Sequence, residues 1–256
     1  MLIPRIIPCL LLQDGGLVKT VKFKNPKYIG DPINAVKIFN DKEADELIFI
    51  DIDASKFNRE PDYEVIKDIA QEAFMPLSYG GGIKNLIQIE KVLRVGVEKV
   101  VINSASLTGY DLIRNAAKEF GNSTIISAID FKRSLFGKEC VFNHVSSKTL
   151  KLNYFDHMKA CEDAGAGELF INSVDRDGTF LGYDVKLLSE LAEAVNIPVI
   201  ACGGAGSVEQ MVTLVKNTEI SSSAAGSIFV FQGPHKAILI KYPERKLLEE
   251  LFKSKK

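Results

Sequence analysis

Asp130 closes a β-branched run, Ile125-Ile-Ser-Ala-Ile-Asp130, and Asp175-Arg-Asp177-Gly178 follows another, Glu168-Leu-Phe-Ile-Asn172. A carboxylate at the end of such a run can act as general acid or base once burial and neighbouring charges tune its pKa. A plainer use, a loop aspartate accepting from backbone amides, fits Asp175 better and Asp177 equally well. Gly80-Gly81-Gly82 and Gly203-Gly204 each directly follow an apolar run. Glycine lets backbone N–H groups approach a phosphate closely, and a helix beginning next adds its positive end. Asn103-Ser104 and Gly226-Ser227 complete one such cradle in each half of the chain. A single Gly-Gly is most often only a turn. Two at matching positions point to a ligand with two phosphates or to another two-ended anion.

The matching positions belong to a repeat. In the first half, Glu46-Leu-Ile-Phe-Ile-Asp-Ile-Asp53 precedes Pro76-Leu-Ser-Tyr-Gly-Gly-Gly82. In the second, Glu168-Leu-Phe-Ile-Asn-Ser-Val-Asp175 precedes Pro198-Val-Ile-Ala-Cys-Gly-Gly204, and both pairs stand 122 residues apart. A fixed offset over so long a stretch implies a duplicated half-domain. Upstream, Ile6-Ile-Pro-Cys-Leu-Leu11 falls against Ile125 to Asp130, so Leu11 occupies the position of a second carboxylate. Leu11 cannot move a proton at any pH. Asp14, Asp51 and Asp53 are nearby substitutes, though none holds the twin position.

A second constellation lies at the opposite ends of the same runs. Arg5, Glu46, Lys99 and Glu168 each precede or open an apolar run. Singly, each reads as an ordinary solvated flanking charge. Together they set two positive against two negative groups, and charges turned toward a protein axis are costly unless paired. A closed ring of the four would be a plug or gate.

Eight short apolar runs position these residues, near 6–11, 47–51, 76–79, 99–103, 125–130, 168–172, 198–202 and 222–226. Helical spacing of apolar residues recurs between them at 32–42, 62–73, 86–95, 110–120, 154–164, 185–194 and 208–215, with Gly96 and Gly165 placed as left-handed helix caps. Alternation of strand and helix eight times, with a half-length repeat, predicts an α/β fold: one (β/α)8 TIM barrel spanning 1–256, with chemistry in the loops after the strands. The region after the eighth run is interrupted by Gly233-Pro-His-Lys. Two loops are long. Residues 12–31 carry Lys19, Lys22, Lys24 and Lys27, suited to covering an anion, and 132–152 predict a small hairpin on the same face.

The 256 residues are 46% hydrophobic with a net charge of −1, which gives no general attraction to nucleic acid or to an anionic membrane. The basic end at Lys253, Lys255 and Lys256 reads as a solvated tail. Cys9, Cys140, Cys161 and Cys202 have no metal-ligand spacing, and Cys9 and Cys202 read as small buried hydrophobes, so neither metal nor cofactor is expected. No run reaches membrane-spanning length, and a cytoplasmic setting is expected.

At this point the chain resembles, over nearly its whole length, HisF, the cyclase subunit of imidazole glycerol phosphate synthase. The resemblance rests on Arg5-Ile-Ile-Pro-Cys-Leu, Asp14-Gly, Gly30-Asp-Pro, Asp45-Glu-Leu, Tyr79-Gly-Gly-Gly-Ile, Lys99-Val-Val-Ile-Asn, Gly165-Ala-Gly-Glu, Asp175-Arg-Asp-Gly-Thr and Gly203-Gly-Ala-Gly, in that order. It implies a HisH-like glutaminase docked on the lower rim. Ammonia released there would pass Arg5, Glu46, Lys99 and Glu168, follow the axis past Ser78 and Ser104, and meet a two-phosphate ribonucleotide held by Lys19, Asp177 and the glycine loops. Two aspartates would then catalyse ring closure. Asp130 matches one; the other falls on Leu11.

Ile6-Ile-Pro-Cys-Leu-Leu-Leu-Gln-Asp-Gly-Gly and Phe229-Val-Phe-Gln-Gly-Pro-His-Lys-Ala look like a HisF-like branch associated with surface-polysaccharide clusters. That likeness implies work with a glutaminase and a third, sugar-binding amidotransferase that converts an acetamido to an acetamidino group. The alternatives are a true cyclase in which Asp14 or Asp53 replaces the lost carboxylate, a scaffold that only activates a glutaminase, and a sugar-phosphate isomerase, which would have no use for the four-residue gate.

Overall fold

A computed structural model describes residues 4–134 and 137–254. Eight parallel strands close on themselves: β1 Arg5–Gln13, β2 Leu47–Asp51, β3 Leu77–Gly80, β4 Lys99–Ile102, β5 Ile125–Arg133, β6 Glu168–Ser173, β7 Val199–Cys202 and β8 Ser222–Ala225. Each pairs with the next, and β8 pairs back onto β1. The helices are α1 Pro32–Asp41, α2 Tyr63–Glu72, α3 Leu86–Arg94, α4 Asp111–Phe120, α5 Tyr154–Asp163, α6 Val185–Glu193, α7 Val208–Asn217 and α8 Arg245–Lys253. The chain is therefore a (β/α)8 barrel.

Local chemistry sets these boundaries. Asp31, Asp62, Asn85 and Ser207 each cap a helix by accepting from the backbone N–H three residues on. Gly96 and Gly165 follow α3 and α5 with φ of +112° and +102°, a conformation that suits a residue without Cβ. One apolar layer, with Leu10, Phe49 and Leu169, lies between the strands and the helices. A separate group inside the barrel includes Ile7, Ile48, Val101, Ile126, Phe170 and Ile200.

The strand register carries the sequence repeat into space. Leu11 pairs with Ile50 across β1 and β2, and Asp130 pairs with Asn172 across β5 and β6. Ile48 lies opposite Ser78 as Phe170 lies opposite Ile200. Ser78 then pairs with Lys99 as Ile200 pairs with Ser222. Counting on along β4 and β8, Asn103 corresponds to Gly226.

Three regions differ from a plain reading of loops. Residues 12–31 extend β1 and form a hairpin from Gly16–Val21 and Lys24–Gly30. Beyond β5, Glu139–Asn143 pairs back onto β5 and onto Lys148–Thr149; residues 135 and 136 lie outside the described residues. After β8 there is one short helical turn, Ser227–Val230, then a hairpin of Phe231–Gln232 with Ala237–Ile238. The basic end departs from a solvated tail: Lys253 ends α8, which buries Leu248. Lys255 and Lys256 lie outside the described residues.

Candidate active site

The C-terminal ends of the strands surround a cavity of about 120 Å³. Its second-half wall is polar. Asp130 lies in the buried part of β5 and accepts from Asn103 Nδ2 at 2.8 Å, with Asn172 opposite it in the β5–β6 register. Burial raises the Asp130 pKa to about 7; Asn103 and Asn172 oppose that rise, and the charge of Asp177 adds to it. The group can thus hold or release a proton near neutrality. Asn172 Oδ1 and Ser227 Oγ are buried without a hydrogen-bond partner, a cost that a bound donor or anion would relieve.

The first-half wall is apolar at the corresponding places. Leu11 and Ile50 line the cavity where Asp130 and Asn172 stand in the other half, and Gly226 replaces Asn103. Gly226 has a packing reason of its own: a Cβ there would lie 2.9 Å from Lys19 Cε and 2.8 Å from the Cys9 carbonyl oxygen. Lys19 crosses this gap to Asp177 Oδ1 at 2.9 Å, and Thr20 Oγ1 donates to Asp177 Oδ2 at 3.1 Å. Burial would lower the Lys19 pKa, but Asp177 outweighs it and holds the amine above its ordinary value. The Lys22 N–H donates to the Asp177 carbonyl at 2.9 Å, so one aspartate clasps the β1 hairpin to the β6 loop.

The substitute carboxylates have other occupations. Asp14 is exposed and lies 4.0 Å from Arg59. Asp53 is buried and accepts from Gln13 Nε2 at 2.8 Å. Asp51 does line the cavity, while its Oδ1 accepts from the Asp53 and Ala54 N–H groups. Cys9 and Cys202 also face the cavity. The bond from Cys9, together with burial, pushes the Cys202 thiol well up and leaves it a poor nucleophile.

The two glycine loops behave differently from one another. Gly81 and Gly82 border the cavity, with Asn103 and Ser104 beside them. The Gly82 N–H already donates to Ser55 Oγ at 3.1 Å. Gly203 and Gly204 do not line the cavity. A Cβ on Gly203 would meet the Ser173 carbonyl at 2.7 Å, as one on Gly81 would meet the Asp51 carbonyl at 2.5 Å. Both glycine pairs therefore allow one loop to pass close over the preceding one.

Two side chains of the cavity carry no sequence motif. Phe23 lies at the tip of the β1 hairpin, in a two-residue turn where Lys22 and Phe23 both have positive φ, 52° and 60°. Such turns favour Asn and Gly, so the aromatic is held there against its preference. It packs edge-on against Phe142 and His144 of the β5 hairpin, closing one side of the mouth. His144 Nε2 lies 2.7 Å from the Ile52 carbonyl oxygen, an acceptor only, which fixes the proton on Nε2. A lone histidine in a loop gives no sequence signal; its contacts depend on two hairpins meeting.

At the other end of the barrel, Arg5 donates to Glu46 Oε2 at 2.7 Å and to Glu168 Oε2 at 2.6 Å. Lys99 donates to Glu168 Oε1 at 2.6 Å and lies 3.6 Å from Glu46. Ser78 Oγ donates to Glu46 Oε1 at 2.9 Å, and Arg5 Nε donates to Ser222 Oγ at 3.0 Å. Burial would raise the Glu168 pKa, but the bonds from Arg5 and Lys99 overcome it and hold the carboxyl below its ordinary range. The four charges form one closed ring. Ser78 belongs to this lower layer and Ser104 to the upper cavity, so the two serines do not share a level. On the same rim Phe74 is 88% exposed, its N–H bonded to Asn40 Oδ1 at 3.0 Å.

Fold and site together define a two-fold-duplicated (β/α)8 barrel with a ligand-sized cavity at one end and an ion-paired constriction at the other. The family model described as "Histidine biosynthesis protein" matches residues 5–235. A Pseudomonas aeruginosa protein provisionally named imidazole glycerol phosphate synthase subunit hisF2 is 52% identical over 240 residues, covering 94% of this chain and 96% of that one. A Leptospira interrogans protein, provisionally named imidazole glycerol phosphate synthase subunit HisF, is 48% identical over 253 residues, covering 98% and 100%. The Hydrogenobaculum imidazole glycerol phosphate synthase subunit HisF is 41% identical over 232 residues, covering 91% and 92%. The chain belongs to the HisF family of histidine-biosynthesis barrels.

Proposed function

We propose that this chain is the barrel subunit of a glutamine-dependent synthase, one that receives ammonia at its lower rim from a HisH-like glutaminase and delivers it to a third, sugar-binding amidotransferase. There the ammonia nitrogen would replace the oxygen of an acetamido group, with net loss of water, giving an acetamidino sugar of a surface polysaccharide. The reading is carried by the asymmetry between the barrel's two ends. The ring of Arg5, Glu46, Lys99 and Glu168 is complete, whereas the twin of Asp130 is Leu11.

The residues have separate tasks on this reading. Phe74, held out beside the gate, anchors the glutaminase. The ring keeps water and ions from the axis until a partner disturbs its bonds. Above it, Ile7, Ile48, Ile126, Phe170 and Ile200 offer an apolar path that admits neutral ammonia and excludes ammonium, since burying an unpaired charge is far more costly. The cavity retains Lys19, Asp177, Asn103, Ser104, Gly81, Gly82, Gly226 and Asp130 to hold a phosphorylated ligand at the mouth; Ser227, Gly203 and Gly204 lie beside it.

A second reading, a cyclase of histidine biosynthesis, is favoured by Asp130 itself, whose pKa of about 7 suits proton transfer. Turnover of the family's ribulosylformimino ribonucleotide with excess ammonium separates the two. The proposed function expects native turnover at background level only, rising when a carboxylate is restored at position 11. Robust native turnover would make the chain a cyclase. A bulky Ser78→Trp would stop glutamine-dependent transfer and leave a pure scaffold's glutaminase activation untouched.

A further inference from the structure

Three segments of the upper rim lie side by side. Val21 of the β1 hairpin lies against Gly178 of the β6 loop. Farther along the same hairpin, the Lys27 ammonium sits 5.6 Å from the centre of the Phe231 ring, in the hairpin that follows β8. Lys236, in the turn of that second hairpin, sits 5.1 Å from the Phe180 ring of the β6 loop. A groove of about 330 Å³ lies between the β6 loop and the hairpin after β8, lined in part by Phe180, Ile228, Phe231, Pro234, Lys236 and Lys241. On the same three segments Val21, Tyr28, Leu181, Ile238 and Leu239 are exposed, Leu181 by 73%.

The stretches that carry these residues are rich in lysine. Residues 16–30, 178–183 and 226–241 together contain six lysines and no Asp or Glu, in a chain with 33 acidic residues against 32 basic. Lys19 is neutralised by Asp177, whereas Lys22, Lys24, Lys27, Lys236 and Lys241 form no ion pair among the described residues. A small anion would engage the lysines and leave the apolar side chains in water. Exposed apolar side chains interspersed with unpaired cations fit a protein surface of opposite charge.

We propose that this rim is the docking surface for the protein that consumes the ammonia, and that the protein meets it with an acidic face. The proposal rests on the function proposed above. Ammonia released into water at neutral pH is mostly protonated and no longer nucleophilic, so its consumer must cover the mouth. The rim adjoins that mouth, because Thr20 and Phe23 of its first hairpin line the cavity. Five unpaired lysines would steer the encounter, and the apolar groove would hold the complex.

The test combines the purified barrel, its HisH-like glutaminase and the acetamido-sugar amidotransferase, comparing amidine formation from glutamine with that from excess ammonium. Leu181→Asp, and separately the pair Lys27→Glu and Lys236→Glu, should lower the glutamine-dependent rate roughly tenfold or more. The ammonium-dependent rate and the stimulation of the glutaminase should not change. Binding of the amidotransferase to the barrel should weaken with salt. Thermal unfolding of each variant checks that the barrel is intact. Undiminished coupling in both variants would overturn the docking surface and leave the conduit standing. No coupling in the native chain would instead remove the conduit, and the docking proposal with it. Rim-dependent binding of anionic vesicles or of a second barrel, without the amidotransferase, would also overturn the proposal.

Discussion

The two halves of this barrel have the same backbone plan and opposite cavity walls. In the second half, Asn103 donates to Asp130, and Asn172 stands opposite that aspartate with its Oδ1 unpartnered. In the first, Gly226, Leu11 and Ile50 stand at the corresponding places and leave nothing to titrate. At the lower rim the halves instead agree on one residue, since Glu46 and Glu168 are twins and both bind Arg5. A duplicated fold can thus keep symmetry where a ring must close and give it up where chemistry is no longer shared.

The strongest way to break the comparison is to restore the missing wall. Leu11→Asp alone sets a half-buried carboxylate with no amide opposite it, so Leu11→Asp with Ile50→Asn is the sounder variant. If the cavity still binds the family's ribonucleotide, ammonium-dependent turnover should rise by about 10²–10⁴-fold over the native chain, the usual worth of a general acid or base. Single-turnover assays would measure it. Turnover that stays at the native level would mean that the first half has lost more than its carboxylate.

The next largest effect concerns the clasp between the halves. Asp177→Ala leaves Lys19 charged, buried and unpaired, which should cost about 3–5 kcal/mol in chemical denaturation. Lys19→Met with Asp177→Leu removes both charges and should recover most of that loss.

Asp130 sharpens the comparison through pH. Unfolded, its carboxyl ionises near 3.8; in the fold it does so at about 7. Between these values the folded protein holds a proton that the unfolded chain has released. Stability therefore falls as pH rises from about 4 to about 7, and the full penalty remains above 7. Asp130→Asn should remove this slope. Relative to the native chain, the variant should gain up to ~4 kcal/mol at pH 8 and almost nothing at pH 4. The stability change caused by Leu11→Asn, at the twin position, should not vary with pH, because Asp130 keeps its slope in both chains.

Much of this was legible in the sequence for physical reasons. Six of the eight strands were readable because each buries β-branched residues in a short run, whereas Leu77–Gly80 and Ser222–Ala225 have none and follow from the alternation; Leu11 aligns with Asp130 because the repeat offset survives in the strand register. The ring at the lower rim followed from charges at strand starts, which have few places to go inside a barrel. Phe23 and His144 were not legible, because their position depends on two hairpins meeting across the mouth. By residue type Gly203 and Gly204 fit a phosphate cradle. Their geometry adds a use invisible in sequence, the close passage of Gly204 under the β6 loop, where its carbonyl accepts from the Gly182 N–H at 2.7 Å. The helix at Arg245–Lys253 was hidden by its charge, since it buries only one of its leucines fully.

The smallest predicted effect compares two residues at matching loop positions. Asp177 lies two residues past Asp175, and Ser55 lies two residues past Asp53, which is its twin. Ser55 Oγ accepts from the Gly82 N–H at 3.1 Å, a neutral bond on the rim of the cavity. Removing it with Ser55→Ala should cost about 1 kcal/mol in denaturant unfolding, the net worth of one ordinary hydrogen bond. The same change frees the Gly82 N–H toward the cavity. Inorganic phosphate, titrated calorimetrically, should therefore bind Ser55→Ala at least as well as the native chain, whereas Asp177→Ala should alter both binding and stability. A large stability loss in Ser55→Ala would show that the first-half loop is clasped as tightly as the second, and that the asymmetry of the cavity walls does not extend to the loops above them.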